Sequence, residues 1–345
     1  RNYLLNPPSP HPSPPLERGE RAQGVGGFAT PYKPIMSPMR KARLLCVPNF
    51  SEGRNEPTIR AIAEAVEKAG VVLHHLSWDY DHHRMVLAFS GTPQQVARAV
   101  LQSAQVALER IDLRGHQGVH PRIGAIDVVP LVVLEGLSRE EAVAFSHRLA
   151  RRLARRCGLP VYLYEHSAFE GRPRDLPTLR KRVSALAAGL SLEAFPPDFG
   201  MARLHPTAGA TVLGVRDPLI AFNINLQAPD VAIARQIARQ IRQERATHPD
   251  LQGIRALGLW LPSRQTAQVS LNITQPERTD LYRILQYVRQ QAQALGTDVR
   301  DTELIGVLFT DDAVRALRSA LRLASLAPNQ IMPQIFPARP SAGSE

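Results

Sequence analysis

Strand, helix, strand, strand, helix, strand: the hydrophobic periodicity runs through this order twice, and few folds accommodate the repetition. In the first pass Leu44-Leu45-Cys46-Val47 reads as a short buried strand ending at Pro48-Asn49. A helix follows, with Asn55 as its cap, Pro57 in its first turn, Ile59, Ile62, Ala63 and Val66 on one face and Gly70 as its stop. Val71 to Leu76 and Met85 to Phe89 form two strands around the polar loop Asp79-Tyr80-Asp81-His82-His83. Thr92-Pro93 opens a second helix that ends near Arg110, and Ile123 to Leu134 supplies the fourth strand. Ser138 and Glu141 make a capping box for a helix to about Arg156, ahead of a strand from Val161 to Tyr164. The second pass runs Leu219 to Leu226 (strand), Pro229 to about Arg245 (helix), Ile254 to Leu261 and Ala267 to Ile273 (strands), Arg278 to Ala294 (helix) and Leu304 to Phe309 (strand).

Each pass is a βαββαβ unit, so the expected fold class is α/β (α+β): two ferredoxin-like subdomains with a cleft between them. Two domains suit a chain of 345 residues. The expected boundaries are 41–190 and 191–330, with a Pro-, Gly- and Arg-rich joining segment from about Glu165 to Gly209. Residues 1–40 hold nine prolines and few aliphatics, too little apolar surface to offset chain entropy, and are expected to be disordered, as is the tail 331–345.

No apolar run approaches the roughly 20 residues needed to cross a bilayer, so no membrane partner is expected. Cys46 and Cys157 are too distant in sequence for a metal knuckle and too few for a disulfide framework, which fits a cytoplasmic location. A formal charge of +11 favours anionic partners. Much of the excess lies in Arg148, Arg151, Arg152, Arg155 and Arg156, and in Arg172, Arg174, Arg180, Lys181 and Arg182. This is first a solvated arginine face, with an electropositive approach for a small polyanion as the sharper reading. Aromatic residues, at 6%, are too sparse for base-stacking platforms, so no specific nucleic acid is expected.

The densest chemistry is His116-Gln117-Gly118-Val119-His120-Pro121-Arg122-Ile123-Gly124-Ala125-Ile126-Asp127. Pro121 pushes His120 toward an extended backbone, and an imidazole there can accept and return a proton within one turnover. His120 is the candidate general acid/base, with Asp127 or a backbone carbonyl to fix its tautomer. Arg84 and Arg122 are candidate carboxylate clamps, because a guanidinium pairs with a carboxylate through two hydrogen bonds. Asn223, Asn225 and Gln268 are candidate substrate-binding amides on strands. Metal readings fare worse. His74 and His75 lie within a strand pattern, and His82 and His83 with Asp79 and Asp81 lack a second cluster at zinc spacing. His116 and His120 are four apart, but Gly118 and Pro121 argue against a helix between them. Phosphate-binding glycine loops and serine nucleophile elbows are absent.

Taken in order, Cys46-Val47-Pro48-Asn49-Phe50-Ser51-Glu52-Gly53, Asp79 to Arg84, His116 to Asp127, Pro160-Val161-Tyr162-Leu163-Tyr164, Pro197-Asp198-Phe199-Gly200, Gly209-Ala210-Thr211, Ile220 to Leu226 and Ala267-Gln268-Val269-Ser270 resemble the glutamate formimidoyltransferase family over about residues 42–325. The resemblance implies transfer of a formimidoyl group from N-formimidoyl-L-glutamate to N5 of tetrahydrofolate, a co-substrate that occurs in polyglutamyl form, in a late step of histidine breakdown and without a metal. It carries the family's catalytic histidine onto His120. It carries folate binding onto Gly200-Met201-Ala202-Arg203-Leu204-His205-Pro206-Thr207-Ala208-Gly209. It further implies a homodimer and, since mammalian members are fused to a cyclodeaminase, a separate protein for that second activity. Val119, His83 and Arg182-Val183-Ser184 depart from the family's common pattern. Within the same fold the alternative is a relative handling a formyl group, on 5-formyltetrahydrofolate or N-formylglutamate. From another class, the alternative is a noncatalytic folate-binding or basic nucleic-acid-binding module.

Overall fold

A proline divides the first strand of the fold. Pro48 has no N–H to give a ladder, so the strand appears as β1 (Arg43–Cys46) and β2 (Asn49–Phe50), both lying between the same two neighbours. The computed structural model describes residues 42–187 and 195–331, so the expectations for residues 1–40 and for nearly all of 331–345 lie outside the described residues. Next come α1 (Glu56–Glu67), whose Asn55 cap accepts from the Thr58 N–H at 2.9 Å, and the hairpin β3 (Val72–Asp79) and β4 (Arg84–Gly91). Then follow α2 (Pro93–Arg110), capped reciprocally by Thr92 and Gln95, β5 (Ile126–Glu135) and α3 (Arg139–Cys157), capped by Ser138 and Glu141.

β6 (Val161–Leu163), α4 (Leu176–Ala187) and β7 (Thr211–Val215) complete the first sheet, whose order is β3-β4-(β1, β2)-β5-β7-β6. β7 runs parallel to both β5 and β6, so the first half reaches residue 215 rather than 190. The segment from about Glu165 to Gly209, expected only to join the halves, in fact contributes the helix α4 and leads directly into the strand β7. Its apolar residues explain why: Val212 of β7 and Leu179 and Val183 of α4 bury together with Tyr162 and Phe195.

The second half is β8 (Ile220–Leu226), α5 (Val231–Glu244), β9 (Ile254–Leu261), β10 (Thr266–Ile273), α6 (Leu281–Ala294), β11 (Val299–Ile305) and α7 (Thr310–Leu321). Its sheet order, β11-β8-β10-β9, repeats the order β5-(β1, β2)-β4-β3 of the first half, as two ferredoxin-like units require. The last strand begins at Val299, five residues before the expected Leu304, and Phe309 caps an additional helix. None of the described helices is long and apolar enough to cross a membrane.

Both halves lie in one compact unit. In each, helices cover one sheet face. Leu44, Leu87 and Leu131 meet α1, α2 and α3, while Phe222, Ile224, Val269 and Leu271 meet α5 and α6. Because side chains alternate along a strand, the opposite face of β8 and β10 carries Asn223, Asn225, Gln268, Ser270 and Asn272. This polar face and the uncovered part of the first sheet together line a cavity of about 350 Å³, a size suited to a small metabolite.

Candidate active site

The cavity takes its first wall from β1, β2, β4 and β5 (Leu45, Asn49, Arg84, Val128) and its second from Asn223, Ser270, Asn272 and Glu303; His82 and His120 also line it. Two loops bring the histidines together. The Val119 N–H donates to the Asp81 carbonyl at 3.0 Å, and a Cβ on Gly118 would fall 2.4 Å from the His82 carbonyl oxygen, so only glycine permits the approach. His83 and His116 stack with centroids 3.8 Å apart, and His83 Nε2 sits 3.2 Å from Glu52. That carboxylate also accepts the N–H groups of Gly53, Arg54 and Asn55, which accounts for Ser51-Glu52-Gly53 beside this loop.

His120 is half-buried, and its Nδ1 lies 2.8 Å from the Pro121 carbonyl. A carbonyl only accepts, so Nδ1 carries the proton and Nε2 keeps its lone pair. Burial lowers the basicity of this ring well below that of a free imidazole, and the positive fields of Arg84, Arg180 and His82 lower it further, against Asp127. The tautomer is therefore set by the carbonyl and not by Asp127. Asp127, fully buried, accepts from Arg84 Nη1 at 2.7 Å, from Arg180 and from the Ile123 N–H at 2.8 Å. A β-bulge places it there. Asn49 pairs with Val128 and Phe50 with Ile126, leaving Asp127 as the extra residue and switching the faces on either side of it. It holds two guanidiniums next to the imidazole.

Arg84 lines the cavity but is committed, its Nε donating to Asn49 at 2.9 Å. Arg122 stands elsewhere: it donates to the His116 carbonyl, bracing the loop, and is not among the lining residues. Of the three amides, Asn223 lines the cavity, whereas Asn225 and Gln268 lie behind it. Asn223, Asn225 and Gln268 donate to Glu303 at 3.4, 3.2 and 3.3 Å. They thereby hold an acid that sequence reasoning missed, because the strand containing it was started too late.

Arg264, also missed, bridges the halves, donating to Glu303 at 2.5 Å and to Asp79 at 2.8 Å. Ser263 adds a second tether through its hydroxyl to Asp81 at 2.6 Å. His82, 3.3 Å from Asp79, sits with its ring edge-on to His120 at 5.9 Å, and its Nε2 is buried without a partner. Among the described residues no group of three His, Cys, Asp or Glu is arranged to hold a metal.

The stretch Gly200 to Gly209 does not line the cavity; it is stitched to the back of the histidine loop. His205 and Gly209 exchange backbone hydrogen bonds of 2.9 and 3.0 Å, and the Ala125 and Leu113 N–H groups donate to Ala208 and Thr207. Met201, Ala202 and Arg203 are exposed at its tip. The arginines of α3 are exposed, as a solvated face requires.

Comparison with known proteins agrees with the two-part architecture. The family described as formiminotransferase domain, N-terminal subdomain, matches residues 43–216, and the formiminotransferase domain matches 221–321, dividing where the two sheets divide. Glutamate formimidoyltransferase of Streptococcus pyogenes serotype M1 is 38% identical over 264 residues, covering 76% of this chain and 87% of its own. The enzyme of the same name from Thermoplasma acidophilum is 33% identical over 267 residues, with the same coverage. The formimidoyltransferase-cyclodeaminase of Gallus gallus is 38% identical over 268 residues, and the matched region is 49% of that longer protein. The chain belongs to the formiminotransferase domain family.

Proposed function

We propose that the protein transfers the formimidoyl group of N-formimidoyl-L-glutamate to N5 of tetrahydrofolate, with His120 as the proton relay. The observation that carries this reading is the free Nε2 lone pair of His120, at a cavity walled by both halves. The N5 amine attacks the amidine carbon, forming the N5–C bond. The proton of N5 passes to Nε2, and the resulting imidazolium returns it to the glutamate nitrogen as the old C–N bond breaks. The ring ends as it began. An imidazole of depressed basicity is neutral at working pH, and once protonated it is a strong acid toward the leaving amine; such relays contribute about 10²- to 10⁴-fold. Polar groups of the second sheet, Asn223 and Glu303 among them, are assigned to the pterin or amidine, and the Gly200 to Gly209 loop to the folate at the edge of the site. The reading includes polyglutamyl folate as acceptor, a cytoplasmic location and a homodimer.

The test is turnover of N-formimidoyl-L-glutamate with tetrahydrofolate by the full chain, with N-formyl-L-glutamate run in parallel. Wild type is expected to use the formimidoyl donor, and His120→Ala to lose at least about 10²-fold in kcat while keeping its folate affinity. A fully active His120→Ala overturns the relay, and preference for the formyl donor overturns the substrate assignment.

A further inference from the structure

We infer that Arg180, on α4, is the residue that grips the α-carboxylate of the amidine donor. This inference rests on the transfer reading above and adds to it a specific recognition contact. The departing nitrogen of the donor is attached to the carbon that bears this carboxylate. Whatever binds the carboxylate must therefore stand beside His120.

Arg84 and Arg180 stand beside the His120 ring and exert the strongest positive fields on it, with both guanidiniums on Asp127. With Asp127 between them the trio carries one net positive charge, next to the cavity and shielded from water. Arg84 is spent on Asn49 and Asp127. Arg180 has Asp127 as its acceptor among the described residues, lines the cavity, and keeps a buried Nε without a partner. A buried donor left unmade is costly, and a bound carboxylate would satisfy this guanidinium through a charge-assisted pair. Of the other arginines that line the cavity, Arg264 is neutralised by Asp79 and Glu303 and Arg255 faces Glu165 at 3.7 Å, while Arg216 has an Nη turned to the Asp217 carbonyl at 2.8 Å and lacks the link to Asp127 that sets Arg180 beside the imidazole. Arg122, the other candidate from the sequence, braces the His116 carbonyl instead.

The experiment compares two donors on the full chain: N-formimidoyl-L-glutamate, and N-formimidoyl-4-aminobutyrate, which is the same molecule without the α-carboxylate. Binding is read by calorimetry and turnover by kcat/KM. Wild type is expected to prefer the glutamate donor by about 10- to 100-fold in both, the range of one charge-assisted hydrogen-bond pair. Arg180→Gln is expected to lose that factor on the glutamate donor and little on the other, so that the preference collapses. Arg180→Lys should restore part of it. Equal losses on both donors, with the preference intact, would show that Arg180 acts only through Asp127 and would overturn the clamp. Equal binding of both donors by wild type would also overturn it. A wild type that binds the glutamate donor preferentially yet transfers nothing would leave the clamp standing and refute the transferase reading alone. Thermal melting and tetrahydrofolate affinity of each variant separate a lost contact from a lost fold.

Discussion

Replacing Asp127 by asparagine keeps the shape of the side chain and removes its charge, which isolates what the buried carboxylate does. Three donors converge on it, two of them guanidiniums, and none of its surface meets solvent. In Asp127→Asn two positive charges stay in a water-poor site with one neutral oxygen between them, and the new amide N–H groups point donors at donors. Removing one partner of a buried ion pair costs about 3–5 kcal/mol, and here two pairs are affected, so a loss of about 4 kcal/mol at pH 7 is expected. That is a large share of the roughly 5–15 kcal/mol that holds a folded domain together. The sign of the pH dependence follows from the carboxyl itself. Burial would raise its pKa, but the Arg180 and Arg84 guanidiniums and the Ile123 N–H hold it well below the usual carboxylate range. A depressed folded-state pKa means that its stabilisation is complete above the unfolded value near 4 and is lost as pH falls through the folded one. Urea midpoints of wild type and variant, at constant m, should therefore differ most at neutral pH and converge below about pH 4. A difference under about 1 kcal/mol at pH 7, or one that persists unchanged into acid, refutes this account of the carboxylate. The same variant removes a charge that raises the basicity of His120, so the acid limb of the rate profile should move to lower pH.

Two further outcomes test the loops. A methyl group on Gly124 would lie 1.8 Å from the Ala210 carbonyl oxygen, whereas one on Gly115 meets nothing within 4 Å; Gly124→Ala should cost more than about 4 kcal/mol or fail to fold, and Gly115→Ala should melt like wild type in differential scanning calorimetry. Burial, with His83 and Arg122 nearby, pushes the pKa of His116 down to about 4; with an unfolded value near 6.5 its contribution is present above that pH and is lost as pH falls toward 4, with a slope of at most about 1.4 kcal/mol per pH unit, so His116→Asn should flatten the urea-midpoint profile over that window, and an unchanged profile would count against the assignment.

What the sequence announced and what it withheld divide along the range of the interactions. The caps of α1, α2 and α3 and the alternation in β4, β8 and β10 are local, and these elements occur where the pattern placed them. The place of His120 at the cavity was legible because a proline and glycines around a histidine already define a bend. Arg180 was not. It stands 53 residues from Asp127, and α4 looked like part of a basic joining segment until Leu179 and Val183 were seen packed against the first sheet. Glu303 was missed for a related reason: Val299 to Ile305 alternates only weakly in hydrophobicity, as an edge strand does, and its partners Asn223 and Asn225 lie 80 and 78 residues away in the pairs that fix it. Arg122 shows the limit of nearness in sequence: two residues from His120, it turns back onto the His116 carbonyl of its own loop, a direction that spacing alone does not give.

The duplication itself explains why a site exists here. A βαββαβ unit covers one face of its sheet with its own helices and leaves the other bare, which for a single copy is an open apolar or polar surface. Two copies can bury those faces against each other, but the faces are not alike. The first offers Leu45, Val86 and Val132 with the Arg84–Asp127–Arg180 charges at one side, while the second offers amides and Glu303. Closing them fully would strand polar groups without water, and holding them apart would expose apolar strands. The Arg264 and Ser263 tethers settle the compromise by joining the rims across Asp79, Asp81 and Glu303. The space left between has amides and Glu303 on one wall and, on the other, His120 beside the Arg84–Asp127–Arg180 charges. Each half alone supplies only part of that lining, so the cavity exists only while the tethers hold the two sheets at this distance.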